Sequence, residues 1–343
     1  MEKEKPGILL TGAGAVGGII AALLAKNNHA PDVIVKYPEL KKIARTEGFR
    51  VKGYHGEFSQ RVNALLPSDL HEETYSIVLV GTKATDMAAA VNAVLPHIEK
   101  DALVVSLQNG MCEDALAELV GPDRTVGCVV GWGATMDGLG SYDMTSGGEF
   151  VIGAIGDVPR QKIEQLRDIL SCVVPVRISE NIYGSLYSKL IINSCITIPG
   201  AISGLKLGEM LSKRKFRNIF IGIMKEAMLV ANAMNIKVEP YLGKINFYRF
   251  IGSDSFWAQL KRHLVIRVIG FKFRKLKSSS LQSLERGKPT EIDFFNGYIS
   301  RKAAEYRVKT PLNDKLTGII KEIESGERKI GLENFRDKFF DSY

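Results

Sequence analysis

The run Gly12-Ala13-Gly14-Ala15-Val16-Gly17 constrains this chain more than any other feature, because of what flanks it. Three glycines spaced G-x-G-x-x-G recur by chance. Here residues 7–11 (GILLT) read as a short apolar strand, Gly18 to Asn27 as a helix of strong formers, and residues 32–36 (DVIVK) as a second, β-branched strand. Strand, glycine turn, helix and strand in that order open a dinucleotide-binding unit. Gly12 permits the tight turn, Gly14 lets a pyrophosphate approach the backbone, and Gly17 lets the helix pack against the sheet. The phosphates then meet the free N–H groups and positive end of the helix, with Ala13, Ala15 and Val16 completing the cradle.

The pattern continues through the first half. Residues 76–81 and 102–107 are continuous apolar runs, as strands buried on both faces should be. Helices are expected over 86–94 and 113–120, a strand over 125–131, antiparallel strands in the glycine-rich stretch 132–155, and a last helix and strand at 160–171 and 173–178. From about Ser179 the period changes to 3.6, with helices expected at Tyr183 to Asn193, Gly208 to Asn235 and Glu291 to Tyr306. The expected fold is α/β: a Rossmann-type doubly wound sheet over 1–178, then an all-helical domain over 179–343 that carries a basic segment at 240–277.

Composition narrows the class. No apolar run approaches the roughly 20 residues of a membrane span, and the start MEKEKPGILL offers no signal core, so a cytoplasmic protein is the expectation. Cys112, Cys128, Cys172 and Cys195 form no C-x-x-C pair and read as free thiols. The five histidines lack metal-ligand spacing, so no metal site is expected. The net charge of +8 is local: Lys261, Arg262, Arg267, Lys272, Arg274, Lys275 and Lys277 lie between Asp254 and Glu285 without an acidic residue, and without them the balance is +1. The basic isoelectric point therefore does not by itself argue for nucleic acid.

Cofactor choice turns on the end of the second strand. NAD binders place a carboxylate there for the ribose hydroxyls. This strand ends in Lys36, with no carboxylate until Glu39, and Asp32 stands at its wrong end. A lysine there attracts a 2′-phosphate, which favours NADP.

Five segments in order, GAGAVGG (12–18), GTKATD (81–86), SLQNGM (106–111), SKLIINSCIT (188–197) and SSSLQSLERGKPTEIDFFNG (278–297), make the sequence similar to the ketopantoate reductase (2-dehydropantoate 2-reductase) family over almost its whole length. The resemblance implies an NADPH-dependent reductase that turns a 2-oxo acid into a 2-hydroxy acid. It implies Lys189 as catalytic lysine with Glu291 as its carboxylate partner, Asn109 and Asn193 holding substrate or nicotinamide groups, Ser279 binding the substrate carboxylate, and Lys36 and Lys83 serving the cofactor.

The chemistry agrees. Hydride addition to a ketone puts negative charge on its oxygen, so a donor must stabilise that charge and deliver a proton. Lysine can do both when burial tunes it downward. Asn193 lies one turn after Lys189, so ammonium and amide share a helix face. Glu291 is expected to open a helix, with Thr290 or the preceding serines as caps.

The sequence also departs from the family. An asparagine directly before proline is replaced by Thr197-Ile198-Pro199, which alters one substrate contact; Ser283 stands where an aspartate is common; and residues 240–277 are longer and more basic. Their apolar residues, interleaved with charge, fit an acidic partner or membrane headgroups, a cleft lining that attracts anions, or an extra helix or two with a solvated face. Three functions stay open: ketopantoate reduction, reduction of another branched or aromatic 2-oxo acid, and a non-catalytic NADP sensor, which would need none of Lys189, Asn193, Ser279 and Glu291. The apolar helical half suits a homodimer.

Overall fold

In the computed structural model, which describes residues 7–241 and 243–343, β1 (Ile8–Thr11) runs into the glycine turn and α1 (Ala15–Lys26) leaves it. The reading of residues 1–6 as free of a signal core lies outside the described residues. Two units form, the first ending at Ile182 and the second running Tyr183–Tyr343.

After α1 the first unit continues with β2 (Asp32–Ile34), α2 (Pro38–Thr46), β3 (Phe49–Gly53), β4 (Phe58–Gln60), β5 (Asn63–Leu65), β6 (Tyr75–Val80), α3 (Met87–Val94), β7 (Ile98–Ser106), α4 (Glu113–Val120) and β8 (Thr125–Val130). It closes with β9 (Gly133–Gly138), β10 (Ser141–Ser146), β11 (Phe150–Ala154), α5 (Arg160–Leu170) and β12 (Val176–Ile178). The main sheet has the order β12-β11-β8-β7-β6-β1-β2-β5. From β5 to β8 every pairing is parallel, and this six-strand order is that of a Rossmann sheet. The segment 132–155 forms antiparallel strands as its alternation predicts: β9 pairs with β10, and β11 runs against β8.

A second sheet, β4-β3-β10-β9, covers α1 from the other side. This explains the sequence of α1. Every residue from Gly17 to Leu24 is buried, and a helix enclosed on all sides is apolar all round. Closeness also fixes its glycines: a Cβ on Gly17 would stand 2.1 Å from the Gly12 carbonyl oxygen, and one on Gly18 would stand 2.2 Å from the Tyr142 ring. β3, β4 and β5 are absent from the sequence reading, and so is α2.

The second unit is helical: α6 (Ile182–Ser203), α7 (Leu207–Ser212), α8 (Arg214–Ala233), α9 (Phe247–Ile251), α10 (Phe256–Lys272), α11 (Ser279–Glu285), α12 (Asn296–Glu305) and α13 (Pro311–Glu324). Three expectations change. The helix expected to end at Asn193 continues to Ser203 through Pro199; buried Ile198, Ala201 and Ile202 hold it together where proline removes one backbone donor. The single helix expected from Gly208 to Asn235 breaks at Lys213, whose backbone is extended (φ −86°, ψ 131°). Glu291 does not open a long helix: one 3-10 turn, Ile292–Phe294, follows it, and α12 begins only at Asn296.

The buried Glu226 of α8 caps α13, accepting the Leu312 and Asn313 backbone N–H groups at 2.9 Å each and the Asn313 amide at 2.6 Å. Asn296 donates in turn to Asn313 Oδ1 at 2.9 Å, so this part of the 278–297 motif is scaffold. Among the described residues no helix is long and apolar enough to cross a membrane.

Candidate functional site

In the first unit the candidate residues lie beyond the carboxyl ends of β2, β1, β6 and β7, which are neighbours in that order. Such edges are where open α/β sheets bind ligands. The Gly12 N–H donates to Ile34 O at 3.0 Å, tying the glycine turn to the end of β2. Gly12 takes a φ of +89° and packs on Thr82. The Tyr142 hydroxyl rises from the second sheet and donates to Ala13 O at 3.0 Å, fixing the turn from beneath.

Gly14 differs from its neighbours. It is exposed, caps α1 without a side-chain hydrogen bond, and a Cβ there would meet nothing within 4 Å. The protein's own packing does not require a glycine at 14. The backbone at Gly14 is open to close approach, the property asked of the middle glycine in such a turn.

Lys36 lies exposed just past β2. Asp32 sits at the other end of the strand, opposite Leu9 of β1, and is engaged there: Tyr75 Oη donates to Oδ2 at 2.6 Å and Asn63 Nδ2 to Oδ1 at 2.7 Å. At its carboxyl end β2 thus leads into Val35 and Lys36, with Asp32 held at the opposite end. Lys83 is exposed after β6, and Asn109 is exposed after β7. Between them the buried Gln108 reaches back, its Nε2 donating to Thr82 O at 3.2 Å.

Sequence reading missed Glu113, at the first position of α4. It is fully buried, accepts the Cys112 N–H at 3.0 Å, and burial pushes its carboxyl up to about 7 against that hydrogen bond. An acidic residue in a helix's first turn normally reads as a solvated dipole partner, so the sequence carried no signal of its burial.

In the second unit Lys189, Asn193 and Thr197 follow one another at four-residue steps on α6 and share a face. Lys189 and Asn193 are half-buried, whereas Thr197 is buried. Two turns beyond Asn193, Gly200 receives Ser278: a Cβ on Gly200 would lie 3.2 Å from Ser278 Cβ and Oγ. Ser278 caps α11 by accepting the Leu281 N–H at 3.1 Å, and exposed Ser279 follows it. A shallow apolar recess beside Gly200 is lined by Ile196, Leu205, Leu207, Met210 and Leu276.

Glu291 is half-buried between two anchors. On one side the Thr290 N–H and hydroxyl both donate to Glu324 Oε1, at 2.7 and 2.6 Å, and the hydroxyl accepts the Ile292 N–H at 3.2 Å. Thr290 thus braces the start of the 3-10 turn, whose capping residue is Glu291, rather than capping a helix opened by Glu291. On the other side Lys321 bonds Asp293 Oδ2 at 2.6 Å and Arg301 bonds Asp293 O at 2.8 Å. The backbone carrying Glu291 is pinned at both ends.

A Rossmann-type unit with a ligand-ready glycine turn, followed by a helical unit presenting a lysine and an asparagine on one helix face, defines a nicotinamide-dependent oxidoreductase. The chain belongs to the ketopantoate reductase family: it matches "Ketopantoate reductase PanE/ApbA" over residues 8–157 and "Ketopantoate reductase PanE/ApbA C terminal" over 181–324. It is 27% identical to the 2-dehydropantoate 2-reductase of Pyrococcus abyssi over 94% of this chain and 99% of that one. Among solved structures it is similar to a PanE/ApbA family ketopantoate reductase from Ralstonia eutropha, with TM-score 0.79 and 28% identity over 94% of this chain and all of that one. It shares its fold with a D-mandelate dehydrogenase solved with NADH and anilino(oxo)acetate, with TM-score 0.80 and 22% identity over 93% and 98% of the two chains.

Proposed function

We propose that the protein reduces 2-dehydropantoate (ketopantoate) to pantoate with NADPH. The observation that carries this reading is the alignment of the Gly12–Gly17 turn, Lys36, Lys83 and Asn109 at one edge of the parallel sheet. The residues present fit the dinucleotide: Gly14 faces open space, and Lys36 replaces the ribose carboxylate. When bound, the nicotinamide supplies a hydride to C2 of the 2-oxo acid.

The chain's own residues do the rest. Lys189 stabilises the developing alkoxide and gives it a proton, while Asn193, one turn on, orients the substrate. Ser279 takes the substrate carboxylate. Glu291, on its pinned turn, holds the polar groups around the lysine in register. Asn109 and Lys83 position the cofactor.

Lys36→Glu is expected to weaken NADPH binding about 10- to 100-fold, one to two steps of 1.4 kcal/mol, and to leave NADH within a few-fold. Fluorescence titration with both cofactors checks this, and equal weakening of the two would remove Lys36 from the 2′-phosphate.

A second reading, favoured by Thr197 in place of the family's asparagine and by the longer, more basic segment 240–277, is reduction of another branched or aromatic 2-oxo acid. NADPH oxidation followed with ketopantoate and a panel of such acids decides between them. Ketopantoate as preferred substrate supports the proposal, and preference for another acid replaces it with the second reading. NADPH binding without turnover on any acid makes the protein a sensor.

A further inference from the structure

Two helices of the second unit bring four basic side chains to one place and supply no carboxylate there. On α8, Arg214 and Arg217 stand three residues apart; on α10, His263 and Arg267 stand four apart. Each pair shares a face of its helix, and the two helices pack on each other. The pairs meet where Arg217 Nε donates to His263 Nδ1 at 3.4 Å. Arg217 is held in place from α7: its Nη1 donates to Leu211 O and Ser212 O at 2.8 and 2.7 Å. Arg217 and His263 are half-buried, with Arg214 and Arg267 exposed.

Neighbouring cations are treated differently. Lys215 bonds Asp341 at 3.2 Å, Lys225 bonds Asp254 at 2.8 Å, and Arg262 approaches the same carboxylate at 3.6 Å. Among the described residues no ion pair serves Arg214, Arg217, His263 or Arg267; the charges acting on Arg217 and His263 are all positive. Burial, then Arg267 and Arg214, press the Arg217 guanidinium down from its ordinary range. Burial, then Arg217, Arg214 and Arg262, hold the His263 imidazole below its ordinary 6.5. On α7, exposed Glu209 accepts the Lys206 N–H at 3.1 Å. Like charges gathered on one spot cost stability, and perturbed groups of this kind gather where a ligand is bound.

The chemistry of the four groups identifies the ligand. A guanidinium presents a planar fork of donors that matches a phosphate. Three of them around one imidazole suit a compact group with two or more negative charges, and a single carboxylate would leave most of that charge unanswered. A nucleic-acid strand asks for a row of contacts along its backbone, whereas these four converge.

We propose that Arg214, Arg217, His263 and Arg267 form a binding site for the phosphate group of a soluble ligand, a phosphate monoester or a pyrophosphate. The site uses none of the residues proposed for the cofactor or the 2-oxo acid, and it does not depend on that reading. The bound anion offsets the guanidiniums, so binding should raise the pKa of His263 and should tighten as pH falls.

Titration with inorganic pyrophosphate tests this, read by NMR on the full chain isotope-labelled in its five histidines. The His263 signals, assigned by their loss in His263→Gln, should shift and saturate. Arg214→Ser combined with Arg267→Ser, both at exposed positions, is expected to weaken binding about 100-fold, about tenfold for each charged hydrogen bond. Should that variant fold poorly, Arg267→Glu decides instead: it should raise the His263 pKa with no ligand present and abolish the response. Lys36→Glu should leave the His263 response within a few-fold. No His263 response at millimolar pyrophosphate, a response matched by sodium chloride at equal ionic strength, one that survives the arginine variants, or one lost with Lys36→Glu would overturn the proposal. So would preference for single-stranded RNA or for phosphatidic-acid vesicles over soluble pyrophosphate.

Discussion

Lys189→Ala is expected to lower kcat by about 10²- to 10⁴-fold, the range a positioned general acid supplies, while the Kd for NADPH stays within a few-fold of the wild type. The expectation rests on where Lys189 sits. It lies on α6, among buried Leu186, Tyr187, Leu190 and Ile191, on a helix fastened to α8 by Tyr187 Oη donating to Ala227 O at 3.1 Å. A rigid, half-buried helix holds an ammonium where a loop would let it wander. The residues proposed for the cofactor turn belong to another set of elements, at the ends of β1, β2, β6 and β7, so loss of the lysine side chain is expected to leave them intact. Rapid-mixing and steady-state rates, with NADPH fluorescence for binding, separate the two effects. Near-normal kcat would remove Lys189 from the chemistry, and loss of NADPH binding in parallel with kcat would make its role structural.

The second large effect concerns stability. Glu113 is fully buried with its carboxyl pushed from an ordinary 4.5 up to about 7. A raised native value means that the folded protein keeps a proton the unfolded chain has lost. The stabilisation is complete below about 4.5 and is lost as pH climbs through about 7. At 1.36 kcal/mol per pH unit the window amounts to about 3 kcal/mol. Glu113→Gln keeps the shape and the acceptor for the Cys112 N–H and removes the titration. Relative to the wild type, the variant should therefore gain about 3 kcal/mol between pH 4.5 and 8, measured by urea unfolding at several pH values. A difference that does not change with pH would contradict a buried, raised carboxyl.

Much of this was legible in the sequence because each pattern had one dominant cause. α1 had to be apolar all round to lie between two sheets, and the parallel strands β6 and β7 had to be continuous apolar runs. β3 does alternate, with Phe49 and Val51 buried and Arg50 and Lys52 exposed, but over only five residues, and β4 and β5 are three residues each, too short for a period to stand out. The break between α7 and α8 escaped because Ser212-Lys213-Arg214 contains neither glycine nor proline, and Lys213 simply takes an extended backbone. Pro199, which reads as a stop, lies inside α6 because tertiary burial outweighs one lost hydrogen bond. Of the proposed site residues, the Lys189, Asn193 and Thr197 spacing survives folding as a common helix face. Glu291 kept its neighbourhood but lost its helix: the anchoring of Thr290 to Glu324 and of Asp293 to Lys321 spans elements far apart in sequence, which no local pattern encodes.

In the proposed reaction hydride passes from NADPH to C2 of a 2-oxo acid while the protein supplies the proton on oxygen. Turnover with NADPH carrying deuterium at both C4 positions, followed by mass spectrometry of the 2-hydroxy acid, follows that hydride. The prediction is one non-exchangeable deuterium at C2 of the product, and none at C2 when unlabelled NADPH is used in heavy water. A product without the label, or one that takes its C2 hydrogen from solvent, would contradict it.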